Sequence, residues 1–514
     1  MSEIKISIIL HGSGESHFAS TMQSVVAQVD QSTEVIIVNP ENADISSYLK
    51  GLKDQGVSAS ANSVQTETKG GLLNAAFKAA QAPYILYLDN EDVEIQLKQG
   101  ILELLFLQMQ YYPHAGMIYS DYDIVENETT NEIHLLKHHP GRVRDNQDYG
   151  KVFMFNKDEL QDVGFADEKL KFTVLYDLRL KLSENYELLH VANRYAGSLY
   201  SVSSQSSTHN VFDYLLASKE SQLEAENVLS EHLKRIGAYL QSGQHYSNRP
   251  ALPKESTLKA SIIIPTNNRP EFIGTAIESV QVQTIQDIET IVVVNGGYSD
   301  PTVAEVERYQ PGGDKYDEKK PQVQLLVYDI NNLGLCLNMG AHVAQGEFYV
   351  QLDSDDRLKP DAVEKILQVY ESDPKIGMVI GSYEVWQLAE DGTYSRMEEL
   401  PVVTHDEWTE DNGRNNLLRI NGAGAPRSIP IQLIREMGFS MNEEPYARNY
   451  GEDYNMVLRI SEQHRIGRVW DAIYEVVRHS GGTDHSIDQS TIDRNDEAKD
   501  FMRLEAIERR EELE

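Results

Sequence analysis

The sequence predicts an α/β protein built from two tandem copies of one parallel-sheet unit. Each half of the chain opens with a short run of Val and Ile, followed by a helical segment and a second such run. Continuous apolar strands that alternate with helices are typical of a parallel sheet covered on both faces. The paired runs are residues 6–10 and 35–39 in the first half and residues 260–264 and 291–295 in the second. A chain of 514 residues is long enough for two or three domains.

Internal repetition supports the prediction of two copies. Residues beyond the second strand match between the halves at a constant offset of 264, and a later set matches at an offset of 261. The first set pairs Gly70, Asn74 and Asp89 with Gly334, Asn338 and Asp353, and the second pairs Pro113, Gly116 and Met117 with Pro374, Gly377 and Met378. Self-similarity at a fixed spacing indicates a repeated structural unit.

The repeat divides the chain into four segments. We predict a first unit over residues 1–205, a helical segment with a linker over 206–257, a second unit over 258–485 and a charged helical tail over 486–514. The linker prediction rests on the turn-rich stretch 241–254. We expect the tail to form a surface helix without a chemical role.

Composition narrows the environment and the partners. The formal net charge of −35 argues against nonspecific nucleic-acid binding and against docking on anionic lipids. The single cysteine, Cys336, excludes an internal disulfide framework and fits a reducing compartment. No apolar run approaches the roughly 20 residues that cross a bilayer, and residues 1–10 do not resemble a secretory signal. We therefore expect a cytoplasmic protein with no transmembrane segment and no nucleic-acid partner.

An acidic cluster follows a strand in the second unit. Asp353, Asp355 and Asp356 come directly after the predicted strand 347–351. Carboxylates this close repel one another unless a cation lies between them, and a hard divalent ion with oxygen ligands fits that role. The alternative is an acidic turn whose charges favour the start of a helix near Pro360. The cluster lies at the carboxyl end of a strand, where open α/β sheets bind their ligands.

Two further polar motifs lie near the end of the second unit. Glu452 and Asp453 begin an amphipathic helical stretch, and His479 follows the predicted strand 474–477. Each motif also has a structural explanation. The two acidic residues favour a helix N-terminus through its dipole, and a single histidine near a strand end is commonly structural.

Together, the order and spacing of these motifs resemble those of the inverting glycosyltransferases of family 2, which have the GT-A fold. The resemblance covers about residues 258–485. Its motifs are the opening run 261–270, the turn 295–297, the stretch 332–346, the acidic cluster 353–356 and the Glu452–Asp453 pair. The two-copy layout resembles the tandem family 2 enzymes that build bacterial O-antigen, rhamnan and other surface polysaccharides. The resemblance therefore implies two tandem GT-A domains, the Rossmann-like fold of nucleotide-diphospho-sugar transferases.

The resemblance also implies a role for each motif. The family's aspartate-any-aspartate motif falls on Asp353 and Asp355, its catalytic base on Asp453, and a metal-ligand or diphosphate-contact position on His479. Asp353, Asp355 and His479 are thus the expected ligands of Mg²⁺ or Mn²⁺. The expected donor-binding residues are Pro265, Thr266, Asn268, Asn295, Asn338 and Asp353. The implied reaction transfers a sugar, with inversion, from a nucleotide-sugar donor to a glycan, a lipid-linked glycan or another hydroxyl acceptor.

Two positions depart from the family pattern. Asn295 stands where family members usually carry an aspartate in the turn that reads the base, so the identity of the base is open. Leu337 stands where an arginine usually precedes the residue that matches Asn338. The loss of that positive charge makes a metal ion more necessary, because an acidic site would otherwise repel a diphosphate.

The first unit departs further and is predicted to be a degenerate GT-A domain that transfers no sugar. An offset of 278 residues pairs Tyr176 with Tyr454 and places Leu175 opposite Asp453. Unit 1 therefore lacks a base at this position, because an aliphatic side chain cannot accept a proton. The acidic cluster of this unit, residues 89–92, could still hold a cation. The alternative is that the nearby Asp177 has taken over the role of base. We expect this unit to pack against the second unit or to help bind the acceptor.

Two other functions remain open. One is a binding or scaffold protein in which both units are inactive, although the presence of both Asp355 and Asp453 argues against it. The other is a nucleotidyltransferase, a class that normally has a Gly-rich phosphate loop, whereas residues 265–269 contain no glycine. The Gly-rich stretch 421–425 fits the close approach of an acceptor sugar and a plain loop equally well.

Overall fold

The computed structural model forms two compact units, residues 1–236 (unit 1) and residues 237–514 (unit 2). It describes residues 3–513 except 14, 39–42, 63, 65, 127–128, 194–196, 204–217, 252–255, 406–412, 421, 423, 442–450 and 480–488. Each unit has its own sheets and its own buried core. Within the described ranges, no helix combines the length and apolar character needed to cross a membrane.

Unit 1 contains a seven-stranded sheet and a smaller four-stranded sheet. Its strands are β1 Ile6–His11, β2 Thr33–Val38, β3 Ser58–Asn62, β4 Tyr84–Leu88, β5 Glu94–Leu97, β6 Ala115–Ser120, β7 Tyr122–Glu126, β8 Thr129–Ile133, β9 Val152–Asn156, β10 Glu187–Val191 and β11 Tyr200–Ser203. Its helices are α1 Ser16–Val26, α2 Ser46–Asp54, α3 Lys69–Ala79, α4 Ile101–Tyr111, α5 Lys157–Asp162, α6 Val174–Ser183 and α7 Lys219–Arg235. The smaller sheet has the order β5-β11-β7-β8.

Unit 2 is built around a single nine-stranded sheet. Its strands are β12 Leu258–Thr266, β13 Ile288–Val294, β14 Gln322–Val327, β15 Gly346–Gln351, β16 Arg357–Leu358, β17 Ile376–Leu388, β18 Tyr394–Arg396, β19 Arg427–Pro430 and β20 Arg465–Arg478. Its helices are α8 Ile273–Gln281, α9 Pro301–Glu307, α10 Leu333–Val343, α11 Ala362–Ser372, α12 Gly413–Asn416, α13 Ile431–Met437, α14 Glu452–Gln463 and α15 Gln489–Glu511.

The main sheets of the two units share one strand order. The order β3-β2-β1-β4-β9-β6-β10 in unit 1 corresponds to β14-β13-β12-β15-β19-β17-β20 in unit 2. In both sheets the first four strands are parallel, the fifth is antiparallel to both of its neighbours, and the last two are parallel to each other. The predicted fold class, two tandem α/β units of GT-A type, is therefore confirmed.

A buried hydrogen-bond network occurs in both sheets. In unit 2, Glu289 Oε1 accepts from Ser261 Oγ at 2.6 Å and from the backbone amide of Gln345 at 2.6 Å, and the amide of Gly346 donates to Ser261 Oγ at 2.9 Å. The same network in unit 1 is made by Ser7, Glu34, Gln81 and Ala82. Because a buried carboxylate is costly without such donors, the pair of networks is strong evidence that the two units are copies of one design.

The alignment that places Leu175 opposite Asp453 has its own structural counterpart. It pairs Tyr176 of α6 with Tyr454 of α14, and each tyrosine hydroxyl donates to a backbone carbonyl of its own unit. The acceptors are Val143 at 2.5 Å and Leu417 at 2.7 Å. The helices α6 and α14 are therefore anchored in the same way in the two units.

Helix α7, which we expected to lie between the units, belongs to unit 1 and holds the start of α6. Glu224 of α7 accepts hydrogen bonds from the amides of Lys171 and Phe172 at 2.8 Å, and from the amide and hydroxyl of Thr173 at 2.7 Å. These groups lie in the segment that leads directly into α6. A carboxylate there is also favoured by the helix dipole.

We expect Glu224→Ala to lower the free energy of unfolding of unit 1 by about 2 kcal/mol, because the variant removes hydrogen bonds to a charged acceptor. The three tryptophans of the chain all lie in unit 2. In urea unfolding, the transition of unit 1 seen by far-ultraviolet circular dichroism should therefore move to a lower urea concentration. The transition of unit 2 seen by tryptophan fluorescence should stay where it is. Glu220→Gln, which loses only a surface ion pair with Lys171, is the matched control. Equal shifts in both variants would contradict the role of Glu224 in holding the start of α6.

The C-terminal helix α15 packs against α14, and two of its arginines are fully buried. Arg503 donates to the carbonyl oxygens of Leu418 and Ile420 at 2.9 and 2.7 Å and pairs with Asp500 at 2.6 Å. Arg510 donates to the carbonyl of Arg414 at 2.7 Å. The tail, which we expected to pack or project as a surface helix, thus packs into the core of unit 2.

Candidate active site

The candidate site lies at the carboxyl ends of three parallel strands of unit 2. Strand β12 ends at Thr266, Asn295 directly follows β13, and Asp353 is the second residue after β15. The strands are neighbours in the order β13-β12-β15, so these residues share one edge of the sheet. Open α/β sheets bind their ligands at this edge.

Asn295 is buried at the centre of a chain of amides. Its Oδ1 accepts from Asn267 Nδ2 at 2.7 Å, and its Nδ2 donates to Asn331 Oδ1 at 3.3 Å. Its backbone amide donates to the carbonyl of Thr266 at 3.0 Å. The asparagine that replaces the family's aspartate therefore links three loops at the edge of the sheet.

Asn268 adopts a backbone conformation that is uncommon outside glycine, with φ of +51°. Its amide donates to Asp300 Oδ2 at 2.8 Å, and Asp300 Oδ1 caps helix α9 by accepting from the amide of Thr302 at 2.8 Å. A helix cap thus fixes the loop that follows β12 before any ligand binds.

Pro265 and Thr266 are the last two residues of β12, and Pro265 lies in register with Val293 of β13. The hydroxyl of Thr266 is buried and has no hydrogen-bond partner among the described residues. A buried polar group without a partner destabilises a protein by about 1–3 kcal/mol. A ligand that reaches this hydroxyl would offset that cost.

The acidic cluster is held by contacts from two strands of the sheet, β15 and β20. Asp353 Oδ1 accepts from Gln351 Nε2 at 3.2 Å, and the amide of Asp353 donates to the hydroxyl of Tyr474 at 3.1 Å. His479 directly follows β20, and its Nε2 lies 3.2 Å from Asp355 Oδ2. The structure therefore brings the three expected metal ligands to the same end of unit 2.

Two carboxyl groups of the cluster are buried without enough positive charge around them. Burial raises the pKa of Asp353, although Arg427 opposes the rise, and Asp355 adds to it. Burial, with further contributions from Asp353 and Asp355, raises the pKa of Asp356 well above its ordinary value. Asp356 Oδ1 is held by the amide of Val477 at 2.8 Å. The cluster is thus electrostatically suited to an added cation.

The ring of His479 packs on Phe272 with 4.2 Å between the ring centroids. This stacking orients the imidazole toward Asp355. Across the described ranges, no group of three or more His, Cys, Asp or Glu side chains is arranged as a complete metal centre. The potential metal ligands that the protein supplies are therefore the Asp355–His479 pair, with Asp353 nearby.

Asp453 lies in the first turn of α14, which begins after Gly451 in a left-handed conformation (φ +84°). Arg427, the first residue of β19, places Nη1 2.8 Å from Asp453 Oδ2. The same nitrogen donates to the carbonyl of Gly424 at 2.8 Å. The Asp453 side chain retains 22% exposure, so a substrate can reach a carboxylate that is already oriented.

The two acidic residues that open α14 differ in charge state. Burial favours the neutral form of Asp453, but Arg427 and Lys499 together lower its pKa below the ordinary value. Burial, with a further contribution from Asp453, raises the pKa of Glu452 to about 7. One oxygen of Glu452, Oε2, has no hydrogen-bond partner within the described parts of the chain. At neutral pH the pair therefore presents a charged Asp453 beside a Glu452 that is partly protonated.

Asn338 binds the backbone of its own unit. Its Nδ2 donates to the carbonyl of Phe439 at 2.9 Å, and its Oδ1 accepts from the amide of Phe439 at 2.8 Å. The matching residue in unit 1, Asn74, makes the same two bonds with Ala166. These bonds give Asn338 a structural role, and its place among the donor-binding residues stays a prediction.

The Gly-rich stretch that we considered for acceptor binding is described only in part, because Asn421 and Ala423 lie outside the described residues. Gly424 has φ of +89°, and a Cβ atom at this position would lie 2.2 Å from Nε2 of His405. Packing and backbone conformation therefore account for this glycine.

The base position of unit 1 is occupied as the sequence predicts, by Leu175 in the first turn of α6. The nearby Asp177 is 4% exposed, and its Oδ2 accepts from Lys181 Nζ and from the amide of Asp167, both at 2.8 Å. These bonds give Asp177 a structural role, so the geometry does not favour it as a replacement base.

Sequence reasoning missed two cations that flank Asp453. Arg427 carries a signal that could have been used, since it is a charged residue at the start of a short apolar strand. Lys499 carries none, because it belongs to a tail rich in charges of both signs.

Comparison with known proteins adds independent findings. The chain is 22% identical to an uncharacterized glycosyltransferase of Rickettsia conorii over 92% of its own length and 79% of the relative's. It is 31% identical to the chondroitin synthase of Escherichia coli over 24% of its own length and 18% of the relative's. A crystal structure of S. aureus TarS aligns with a TM-score of 0.33 and 20% identity, covering 43% of this chain and 60% of TarS.

The family comparison is the most specific of these findings. Residues 261–424 match the family described as Glycosyl transferase family 2. The matched range includes the loop after β12, Asn295 and the acidic cluster, and it ends before the helix that carries Asp453. The second unit of this chain is therefore a glycosyl transferase family 2 domain.

Proposed function

We propose that this chain is a metal-dependent, inverting glycosyltransferase that moves a sugar from a nucleotide-sugar donor to a hydroxyl of a glycan or lipid-linked glycan. One observation carries the proposal. Asp453 is kept ionised by Arg427 at the end of unit 2 that also holds the Asp353–Asp355–His479 cluster. A general base close to a cation-binding cluster is what such a transfer requires.

The donor would bind along the edge formed by β12 and β13. The unpartnered hydroxyl of Thr266 and the buried amide of Asn295 supply hydrogen-bonding groups for the base and ribose. Pro265 and Asn268 give the loop its fixed shape. Asp353 lies at the same edge of the sheet and would contact the ribose or the metal ion.

The residues at the acidic cluster fit a divalent cation. Asp355 and His479 present a carboxylate oxygen and an imidazole nitrogen to each other, and the buried carboxyl groups beside them lack compensating charge. Mg²⁺ or Mn²⁺ held by Asp355 and His479, with Asp353 beside them, would supply the positive charge that a diphosphate leaving group needs.

Asp453 would accept the proton of the acceptor hydroxyl as that oxygen forms a bond to the anomeric carbon. Its lowered pKa keeps it charged, and the contact with Arg427 fixes its orientation. A single displacement from the face opposite the leaving group inverts the anomeric configuration. Unit 1 has Leu175 at the base position, so we assign it no transfer of its own.

The product and the location are part of the proposal. The relative named chondroitin synthase supports a polysaccharide as the product. The single buried cysteine, Cys336, supports a reducing, cytoplasmic setting. A nucleotidyltransferase would release pyrophosphate instead of a nucleoside diphosphate, and the family match favours sugar transfer.

A thermal-shift screen of UDP, GDP, dTDP and CMP sugars, with and without Mn²⁺, tests the donor site. We expect one nucleotide class to stabilise the wild-type protein in a metal-dependent way, by roughly 3 kcal/mol at a ligand concentration of about 100 Kd. Asp355→Ala should abolish the shift. Asp471→Ala, which changes an exposed aspartate of the same unit, should preserve it. If no nucleotide sugar shifts the wild type, the chain is better explained as a scaffold.

A further inference from the structure

The acidic cluster of unit 1 contains its own cations. Asp89 lies in the position that corresponds to Asp353, and Lys69 Nζ and Lys151 Nζ lie 3.4 and 3.0 Å from its two carboxylate oxygens. Lys69 also contacts Glu91 Oε2 at 2.6 Å. His11 Nδ1 lies 3.3 Å from the other oxygen of Glu91. The two lysines therefore supply positive charge to the carboxylates of unit 1, whereas burial lowers the pKa of His11 and favours its neutral form.

Unit 2 has no counterpart of either lysine. The offset of 264 residues places Leu333 opposite Lys69. Lys151 precedes β9, which pairs with β4 as β19 pairs with β15, and the same register places Ala425 opposite Lys151. Two apolar residues thus stand where unit 1 has two ammonium groups.

The electrostatic state of the two aspartates differs accordingly. Although burial favours its neutral form, the neighbouring Lys69 and Lys151 lower the pKa of Asp89 to about 2. In unit 2, the carboxylate of Asp353 accepts instead from the neutral amide of Gln351 at 3.2 Å. Arg427 is itself paired with Asp453, so it is shared between two carboxylates. Equivalent carboxyl groups are compensated in one unit and not in the other.

We propose that Lys69 and Lys151 occupy the place in unit 1 that a divalent cation takes in unit 2, so that unit 1 binds no metal at Asp89. The part that concerns unit 2 rests on the proposed function, whereas the part that concerns unit 1 does not. Ammonium groups 3.4 and 3.0 Å from the two oxygens already balance the negative charge that would attract Mg²⁺ or Mn²⁺, and they would repel either ion. The proposal runs against the expectation that residues 89–92 could hold a cation.

Mn²⁺ titration followed by electron paramagnetic resonance, on the full chain, tests the proposal. We expect the wild type to bind a single ion and Asp355→Ala to bind none. The double variant Lys69→Met, Lys151→Met removes both charges at similar side-chain length and should gain a second ion. Adding Asp89→Asn to the double variant should remove that ion again. The number of bound Mn²⁺ ions can be measured in each variant without any assay of catalytic activity.

Three outcomes would overturn the proposal. They are an Mn²⁺ ion in the wild type that is lost on Asp89→Asn, one that remains in Asp355→Ala, and a folded double variant that gains no ion. If the wild type binds no Mn²⁺ but the double variant does, the metal dependence of unit 2 fails while the inference about unit 1 stands. Circular dichroism reports folding. If the double variant unfolds, Lys151→Met alone is titrated, and the lack of an added ion there also counts against the proposal.

Discussion

Replacing Asp453 with asparagine is expected to lower kcat by about 10³-fold, within the range known for the loss of a general base. The amide has nearly the shape of the carboxylate but cannot accept the acceptor's proton at neutral pH. Donor binding should be unchanged, because Asp453 lies outside the strand ends that carry Thr266 and Asn295. Release of nucleoside diphosphate measures the rate, and the donor-induced thermal shift measures binding.

The control for this variant is Asp177→Asn, which changes a buried aspartate of α6 whose hydrogen-bond partners, Asp167 and Lys181, belong to unit 1. We expect full transfer activity from this variant as long as it folds. The opposite pattern, with transfer surviving in Asp453→Asn and lost in Asp177→Asn, would move the chemistry to unit 1.

Replacing Arg427 with methionine is expected to lower kcat/KM by about 10²-fold at neutral pH and to change its pH profile. Arg427 is the largest of the influences that lower the pKa of Asp453. In the wild type Asp453 therefore stays charged through the mildly acidic range, and activity falls only below it. Without Arg427, burial raises the pKa of Asp453, so the acidic limb of kcat/KM should move to higher pH.

Arg435→Met is the matched control for the arginine variant. Arg435 also donates to backbone carbonyls, those of Ala341 and Ala344, and within the described residues it forms no ion pair with a carboxylate. Its loss should affect stability and leave the acidic limb in place. A drop in kcat/KM for Arg427→Met without any movement of that limb would mean that Arg427 only supports the fold.

Much of the fold could be predicted because its signals are local or repeated. The Val- and Ile-rich strands β1, β2, β12 and β13 are continuous runs in the sequence. The offset that pairs Tyr176 with Tyr454 proved to join two tyrosines with the same anchoring role. The boundary between the units was harder to predict, because Glu224 joins α7 to unit 1. Its contacts span about 50 residues and leave no pattern in the sequence.

The charges of the site could not be predicted in the same way. Arg427, Lys499 and Asp453 come from β19, α15 and α14, and only the tertiary structure brings them together. Lys69 is adjacent to a glycine used for the alignment, yet its meaning depends on Lys151, which is 82 positions away. Motif spacing locates carboxylates, but it does not reveal whether a cation from elsewhere in the chain neutralises them.

The duplicated Ser–Glu network has a consequence for folding during synthesis. Strands β1 and β12 each carry the same buried serine, so a growing chain contains two central strands with similar partners. All elements of unit 1 precede residue 236, and the second central strand begins at Leu258. Domains fold in order from the N-terminus as the ribosome releases them. The sheet of unit 1 can therefore form around β1 before β12 has been synthesised. When the full chain refolds from denaturant, both strands are present from the start.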